Sequence, residues 1–308
     1  MNPLYYQPSN KTPLGGLLLL LLGGTAVAAA LALVYIYAIW YIPFIYLNVL
    51  VCLAFGFALG TALAYLVKAG KLRNPRVVAG LALLVGAAAI YLEWCVYLTL
   101  LFNAETTGTG ANADTSTSFS ASTFGTALTN PGLLWEAVRQ LNETGSWSLK
   151  GTTPSGIFLW IIWLLEAGII VGLTYLLAPA QARHPFSETT NTWATEEVMP
   201  QLLRYVSDPP ALRQSLESGH FEGLMPASNS DEAANFARLT LHRADDDDNC
   251  QYLSLENIVV SFDKKGKRQE STTTLVPHLA LSASSYRTLH ARFGTAVTGS
   301  VSTPAEIQ

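Results

Sequence analysis

The sequence predicts a membrane all-α four-helix bundle joined to a small cytosolic α+β domain, a three-stranded antiparallel meander with flanking helices. Three observations predict it. Residues 14–67 run for 54 positions without a charged side chain. Charge is unevenly divided: residues 1–182 carry 13 charged side chains, and residues 184–308 carry 26, of which 16 are acidic. From about residue 237, apolar residues change from helical spacing to alternation. The first part is too apolar for a soluble domain, where about a quarter of residues are charged. The second is too polar for lipid. A net charge of -4 and a pI of about 5.7 offer phosphates no attraction and disfavour nucleic acid as a partner.

The elements follow in order. A hydrocarbon core of about 30 Å needs roughly 20 apolar helical residues, so the 14–67 run holds two spans, about 14–40 and 43–67. Pro43 marks the break. Tyr35, Tyr37, Trp40, Tyr41 and Tyr46 surround it, the residue types that collect at a membrane–water interface. Spans three and four cover about 77–102 and 156–178. The apolar run continues to residue 67 and only Lys11 precedes it, which argues against a cleaved signal peptide at Ala26-Val27-Ala28. Orientation follows from the loops. Residues 68–76 contain Lys68, Lys71, Arg73 and Arg76, whereas residues 103–155 contain only Arg139 and Lys150. The positive-inside rule then places both termini in the cytoplasm and residues 103–155 outside, in a cell inner membrane.

Residues 1–182 thus form the transmembrane domain. Within its outer segment, residues 104–127 are rich in Thr, Ser, Ala and Gly and cannot fold alone. Residues 131–143 form an amphipathic helix, with Leu134, Ala137, Val138 and Leu141 on one face and Pro131 at its start. Trp135 lies beside that face, and Trp147 and Trp160 flank the membrane boundary before span four.

Residues 183–195 read as a linker and 196–294 as the cytosolic α+β domain. Val198, Leu202, Leu203 and Val206 suggest a helix over 196–207, and a second helix runs near 211–218. Alternation predicts a strand over 237–242 and another over 251–262, with a bulge at Glu256-Asn257 where the apolar parity shifts. A third strand near 270–276 and a helix near 282–293 close the domain. Residues 295–308 read as a flexible tail.

Two carboxylates lie inside spans, Glu93 and Glu166, at depths about 6 Å apart by helical rise. No span contains Lys or Arg. An ionisable group in lipid faces the bundle interior and marks a functional candidate. Either the pair relays a proton or cation, or each is a protonated group bonded to a neighbouring helix. Gly56 and Gly60 form a GxxxG step, which serves packing within the bundle or a homo-oligomer interface. The turn with Asp245, Asp247, Asn249 and Glu256 has calcium-loop spacing, but Cys250 stands where that loop needs glycine. Cys52, Cys95 and Cys250 do not form a disulfide framework. His184, His220, His242, His278 and His290 are scattered, without finger spacing. No nucleophile elbow, P-loop, dinucleotide fingerprint or HExxH occurs. No catalytic residue, metal or cofactor is therefore expected. The expected partners are the lipid bilayer, a second copy through the small-residue faces, and a cytosolic protein. The expected function is a non-enzymatic multi-pass membrane protein whose cytosolic domain binds a partner or senses envelope state. The alternative is a small proton-coupled transporter or channel using Glu93 and Glu166.

The stretch Leu134-Trp135-Glu136-Ala137, then Gly145-Ser146-Trp147-Ser148, then Pro154, Gly156 and Trp160-Ile161-Ile162-Trp163-Leu164-Leu165-Glu166-Ala167 resembles a family of uncharacterised bacterial four-span membrane proteins. Proteins of that family follow the last span with Pro-Phe-Cys-Glu-x-Cys-x-x-Trp. Here that segment reads Pro185-Phe186-Ser187-Glu188-Thr189-Thr190-Asn191-Thr192-Trp193. Ser187 and Thr190 stand at the cysteine positions, so thiolate chemistry there is lost. The resemblance covers about residues 131–193. It implies no activity, but it makes Trp147 and Glu166 family features.

Overall fold

The computed structural model describes residues 4–42, 45–107, 114–145, 153–227 and 235–294. The expected break at Pro43, Trp147 and the tail 295–308 lie outside the described residues. The chain divides into two compact units, residues 9–183 and residues 184–308 joined by residues 1–8.

The first unit contains four helices long and apolar enough to cross a membrane. These are α1 (Leu14–Tyr41), with one π-helical stretch at Leu19–Gly23, α2 (Ile45–Ala69), α3 (Pro75–Phe102) and the last helix of the unit, Ile157–Gln181. Asn74 caps α3: its side chain accepts the Arg76 and Val77 N–H groups at 3.1 and 3.2 Å, with Pro75 at the first helical position. The last span does not stop at Ala178 as expected. It runs through Pro179 to Gln181.

Small residues set the packing. A Cβ on Gly56 would lie 3.0 Å from the Ile170 Cα, and one on Gly60 would lie 3.0 Å from the Leu173 carbonyl oxygen. The GxxxG face of α2 is therefore pressed against the backbone of the last span, within one chain. On α1, a Cβ on Gly24 would meet Leu63 at 2.6 Å, and Ala28 and Ala32 are fully buried below it.

The segment between α3 and the last span is more ordered than its composition suggested. β1 (Ala104–Thr107) pairs antiparallel with β2 (Asp114–Thr117), and α4 (Ala121–Thr129) follows, its first turn capped by Ser120. Thr and Ser serve here as caps and strand residues, and the apolar surface comes from a neighbour: Ala127 joins Cys95 and Leu98 of α3 in one cluster. The amphipathic helix is present as α5 (Pro131–Thr144), and its Leu134 and Val138 complete that cluster. The last span is α6.

The second unit is built on a five-stranded sheet ordered β5-β7-β8-β9, with β6 pairing β7. The central strands match expectation: β7 (Asn235–Arg243), β8 (Gln251–Phe262) and β9 (Arg268–Ala280), all antiparallel. α7 (Pro209–Glu217) and α8 (Ala283–Phe293) are also as expected. Three expectations need correction. Residues 183–195 are not a linker: β3 (Phe186–Ser187) pairs with β4 (Thr192–Trp193), and Phe186 and Ser187 are buried. Residues 196–207 are not a helix. Thr195–Val198 and Leu203–Arg204 are strands β5 and β6 on β7, and Pro200 between them lacks the N–H a helix interior needs. The β8–β9 register shifts between Leu253 and Leu255, adding a residue to β9 around Pro277 and His278, and again between Leu255 and Glu256, at the edge of the expected Glu256-Asn257 bulge, where the extra residue, Leu275, is on β9 rather than β8.

One addition was not anticipated. The N-terminus extends this sheet: Tyr5 bridges Leu279 antiparallel, the Ala280 N–H donates to the Leu4 carbonyl at 2.9 Å, and the Tyr6 N–H donates to the His278 carbonyl at 3.0 Å. Leu239, Leu241, Leu253, Leu255, Leu279 and Phe293 form the core beneath.

Candidate functional site

Glu93 on α3 and Glu166 on α6, separated by 73 residues, lie in one buried region of the first unit, within electrostatic range of each other and of Tyr35. Tyr35 of α1 donates its hydroxyl to Glu166 Oε1, and the Cys52 thiol of α2 lies 3.7 Å from the Glu166 carbonyl. All four long helices thus contribute a polar group to one place. Tyr35 is not an interfacial aromatic as its position suggested: it is buried, its ring 5.2 Å from that of Phe55. Glu93 is only 5% exposed, and its Oε2 has no hydrogen-bond partner among the described residues. The basic side chains of these four helices, Lys68 and Arg76, stand at helix ends, Arg76 a full 17 residues from Glu93 along α3, so neither neutralises the carboxylates. Two carboxylates beside a phenol can hold and pass a proton. The surroundings are otherwise apolar packing. A surface groove lined by Phe102, Thr123, Thr126, Leu133, Ala137 and Gln140 lies at the β1–α5 end of α3, and neither Glu93 nor Glu166 lines it.

Trp135 belongs to an aromatic chain rather than standing alone. Its ring is 5.6 Å from Trp160, which is 5.3 Å from Trp163, which is 4.9 Å from Trp94. Such offset and edge contacts tie α5 to α6 and α3. Trp94 carried no sequence signal beyond its place in a span.

The second unit gathers residues that looked scattered. His242 on β7 is 3% exposed and stands opposite Glu196 of β5 in the sheet. Among the described residues its Nδ1 has no hydrogen-bond partner, and it lies 3.7 Å from Glu196 Oε1, too far for a hydrogen bond. Its Nε2 is 2.9 Å from Ser254 Oγ. His278 of β9 places its ring 4.7 Å from that of His242, and the His184 ring lies 6.2 Å beyond. His184 Nδ1 reaches Glu196 Oε1 at 2.6 Å. Burial pushes both His242 and His278 down to about 4, with further lowering of His278 by its two histidine neighbours. The hydrogen bond from His184 holds Glu196 below the usual carboxylate range. Among the described residues no group of three or more His, Cys, Asp or Glu is disposed to hold a metal ion. The spacings 184, 196, 242 and 278 hid this cluster. Only the pairing of β5 with β7 brings it together, and β5 had been read as helix.

The acidic turn is a structural post. Asp247 is buried, accepting from Ser187 Oγ at 2.5 Å and from the Asn249 N–H at 3.0 Å. The Thr190 N–H donates to Ser187 Oγ at 3.1 Å. Ser187 and Thr190 therefore form a turn anchored on Asp247 through the Ser187 hydroxyl.

No family model, curated protein or solved structure matches the chain.

Proposed function

We propose that this chain is a non-enzymatic multi-pass protein of a bacterial inner membrane, with both termini in the cytoplasm, whose sheet domain binds a cytosolic protein or senses the state of the envelope. The observation that carries this reading is the antiparallel bridge that residues 4–6 make to β9. Through it the chain entering α1 and the chain leaving α6 both start from one folded body. That arrangement fits an even number of crossings with both ends on one side, and the basic 68–76 loop gives the side. It also ties the domain to the membrane helices twice, which suits a module that reports from one to the other. Photo-crosslinking from a residue placed at the exposed Phe262 of the full-length chain, in native membranes, tests it. The reading expects one discrete protein adduct that survives Glu166→Gln. Absence of any adduct from this and the other exposed positions Val259 and Tyr205 overturns it.

One observation favours a second reading. The convergence of Tyr35, Glu93 and Glu166, with an unpartnered carboxylate oxygen, is the arrangement a proton relay needs. Under it the chain is a small proton-coupled transporter or channel. Proton flux into liposomes carrying the purified chain decides: loss of flux in Glu166→Gln supports this reading, and flux that is absent or unchanged removes it.

A further inference from the structure

We propose that His184, His242 and His278, gathered around the single carboxylate of Glu196, form a proton-sensitive latch that holds residues 4–6 on the sheet edge near neutral pH and releases them on acidification. The latch does not depend on what the domain binds.

Four observations carry it. First, charge: three imidazoles share one carboxylate, and His184 already occupies it at 2.6 Å. A proton on His242 or His278 must then share Glu196 with His184. The groups facing that pair are Glu196 from β5, His184 from the segment after α6, Tyr252 and Ser254 from β8, and Tyr6 from the N-terminus. Glu196 is the one carboxylate acting on both imidazoles among the described residues. Second, burial: His242 is almost wholly enclosed, with an unpartnered Nδ1, so added charge is not relieved by water. Third, linkage to the strand: His278 is itself the latch residue. Its carbonyl accepts the Tyr6 N–H, and its ring packs 6.3 Å from that of Tyr6. Its N–H donates to Ser254 Oγ at 3.2 Å, the same oxygen that meets His242 Nε2. A doubly protonated His242 can only donate, and Ser254 must then accept from both sides. Fourth, strain: His278 has φ +46°, a left-handed conformation unfavourable for a residue with a Cβ, at the irregular point of β9. Moving apart relieves like charge and strain together, and only three residues of strand need to let go.

The test is electron paramagnetic resonance of the full-length chain in lipid nanodiscs, with a spin label at Leu4→Cys. Leu4 is 46% exposed, and the native Cys52, Cys95 and Cys250 are buried. The label should be immobile at pH 7.5 and increasingly mobile towards pH 4.5. If release takes up two protons, the mobile-to-immobile ratio rises up to about 100-fold per pH unit, and at most about 10-fold in His242→Gln or His278→Gln. Glu196→Gln, on an exposed side chain that leaves the core intact, should raise the mobile fraction at pH 4.5. A label equally immobile at both pH values overturns the latch. So does a wild-type slope retained in both histidine variants, or a mobile fraction untouched by Glu196→Gln.

Discussion

Gly60→Val is the sharpest probe of how the long helices pack. The Cβ it adds would lie 3.0 Å from the Leu173 carbonyl oxygen and 3.0 Å from Leu177 Cβ, both on α6. Those atoms belong to backbone or to the base of a side chain, so the helix itself must retreat. Overpacking of this kind costs about 1–3 kcal/mol. Gly56→Val meets the Ile170 Cα at 3.0 Å and should cost as much, with the double variant less than additive because both push the same helix. Gly168→Val is the matched control: it lies on α6, and an added Cβ there meets nothing within 4 Å. It should be neutral or slightly stabilising, since valine is a better helix residue than glycine. Reversible unfolding of the full chain in bicelles gives the free energies, and mass photometry gives the oligomeric state. Equal effects at Gly60 and Gly168 would refute the packing argument. A change in oligomeric mass without a change in stability would assign the GxxxG face to a second copy.

Other predictions concern buried polar groups. His242 takes up its proton in the unfolded chain below about 6.5 but in the folded domain only near 4. Stability is therefore whole above pH 6.5 and falls by about 3 kcal/mol towards pH 4, with a comparable share from His278, which is lowered as far. Denaturant titrations across that range should show the slope, and His242→Phe should flatten it. Glu93→Leu removes a carboxylate oxygen that has no partner, and should raise the thermal midpoint by an amount equivalent to about 1–3 kcal/mol, whereas Tyr35→Phe, which strips the bond to Glu166, should lower it. Ser187→Ala leaves Asp247 short of its donor inside the second unit, at a cost of about 1–3 kcal/mol, readable by urea unfolding.

What the sequence made legible was whatever a single segment settles for itself. The long apolar helices were plain because each must bury its length without charge, and β7, β8 and β9 because alternation marks a strand with one covered face. The errors fall where a neighbour decides. β5 shows no alternation, being exposed at all four residues, so nothing in 195–198 distinguishes an edge strand from a helical turn. Tyr35 looked interfacial because its partner, Glu166, is 131 residues away. The depth count put Glu93 and Glu166 about 6 Å apart along the helix axes, but whether they face one place depends on how α3 and α6 rotate, which no helical wheel gives. The histidine cluster and the N-terminal strand were invisible for the same reason: both exist only through strand pairing across the whole chain.

The account depends most on residues 4–6 lying on β9. Tyr5 and Leu279 oppose each other with hydrogen bonds on either side, between Leu4 and Ala280 and between Tyr6 and His278. In that arrangement the Cα atoms of the opposed pair sit about 4.5 Å apart, within disulfide range. Mild oxidation of the full-length Tyr5→Cys/Leu279→Cys chain in membranes at pH 7.5 should form the bond nearly completely, seen as a mobility shift reversed by reductant. Reduced thiols at both positions under conditions that oxidise a solvent-exposed dithiol would contradict it.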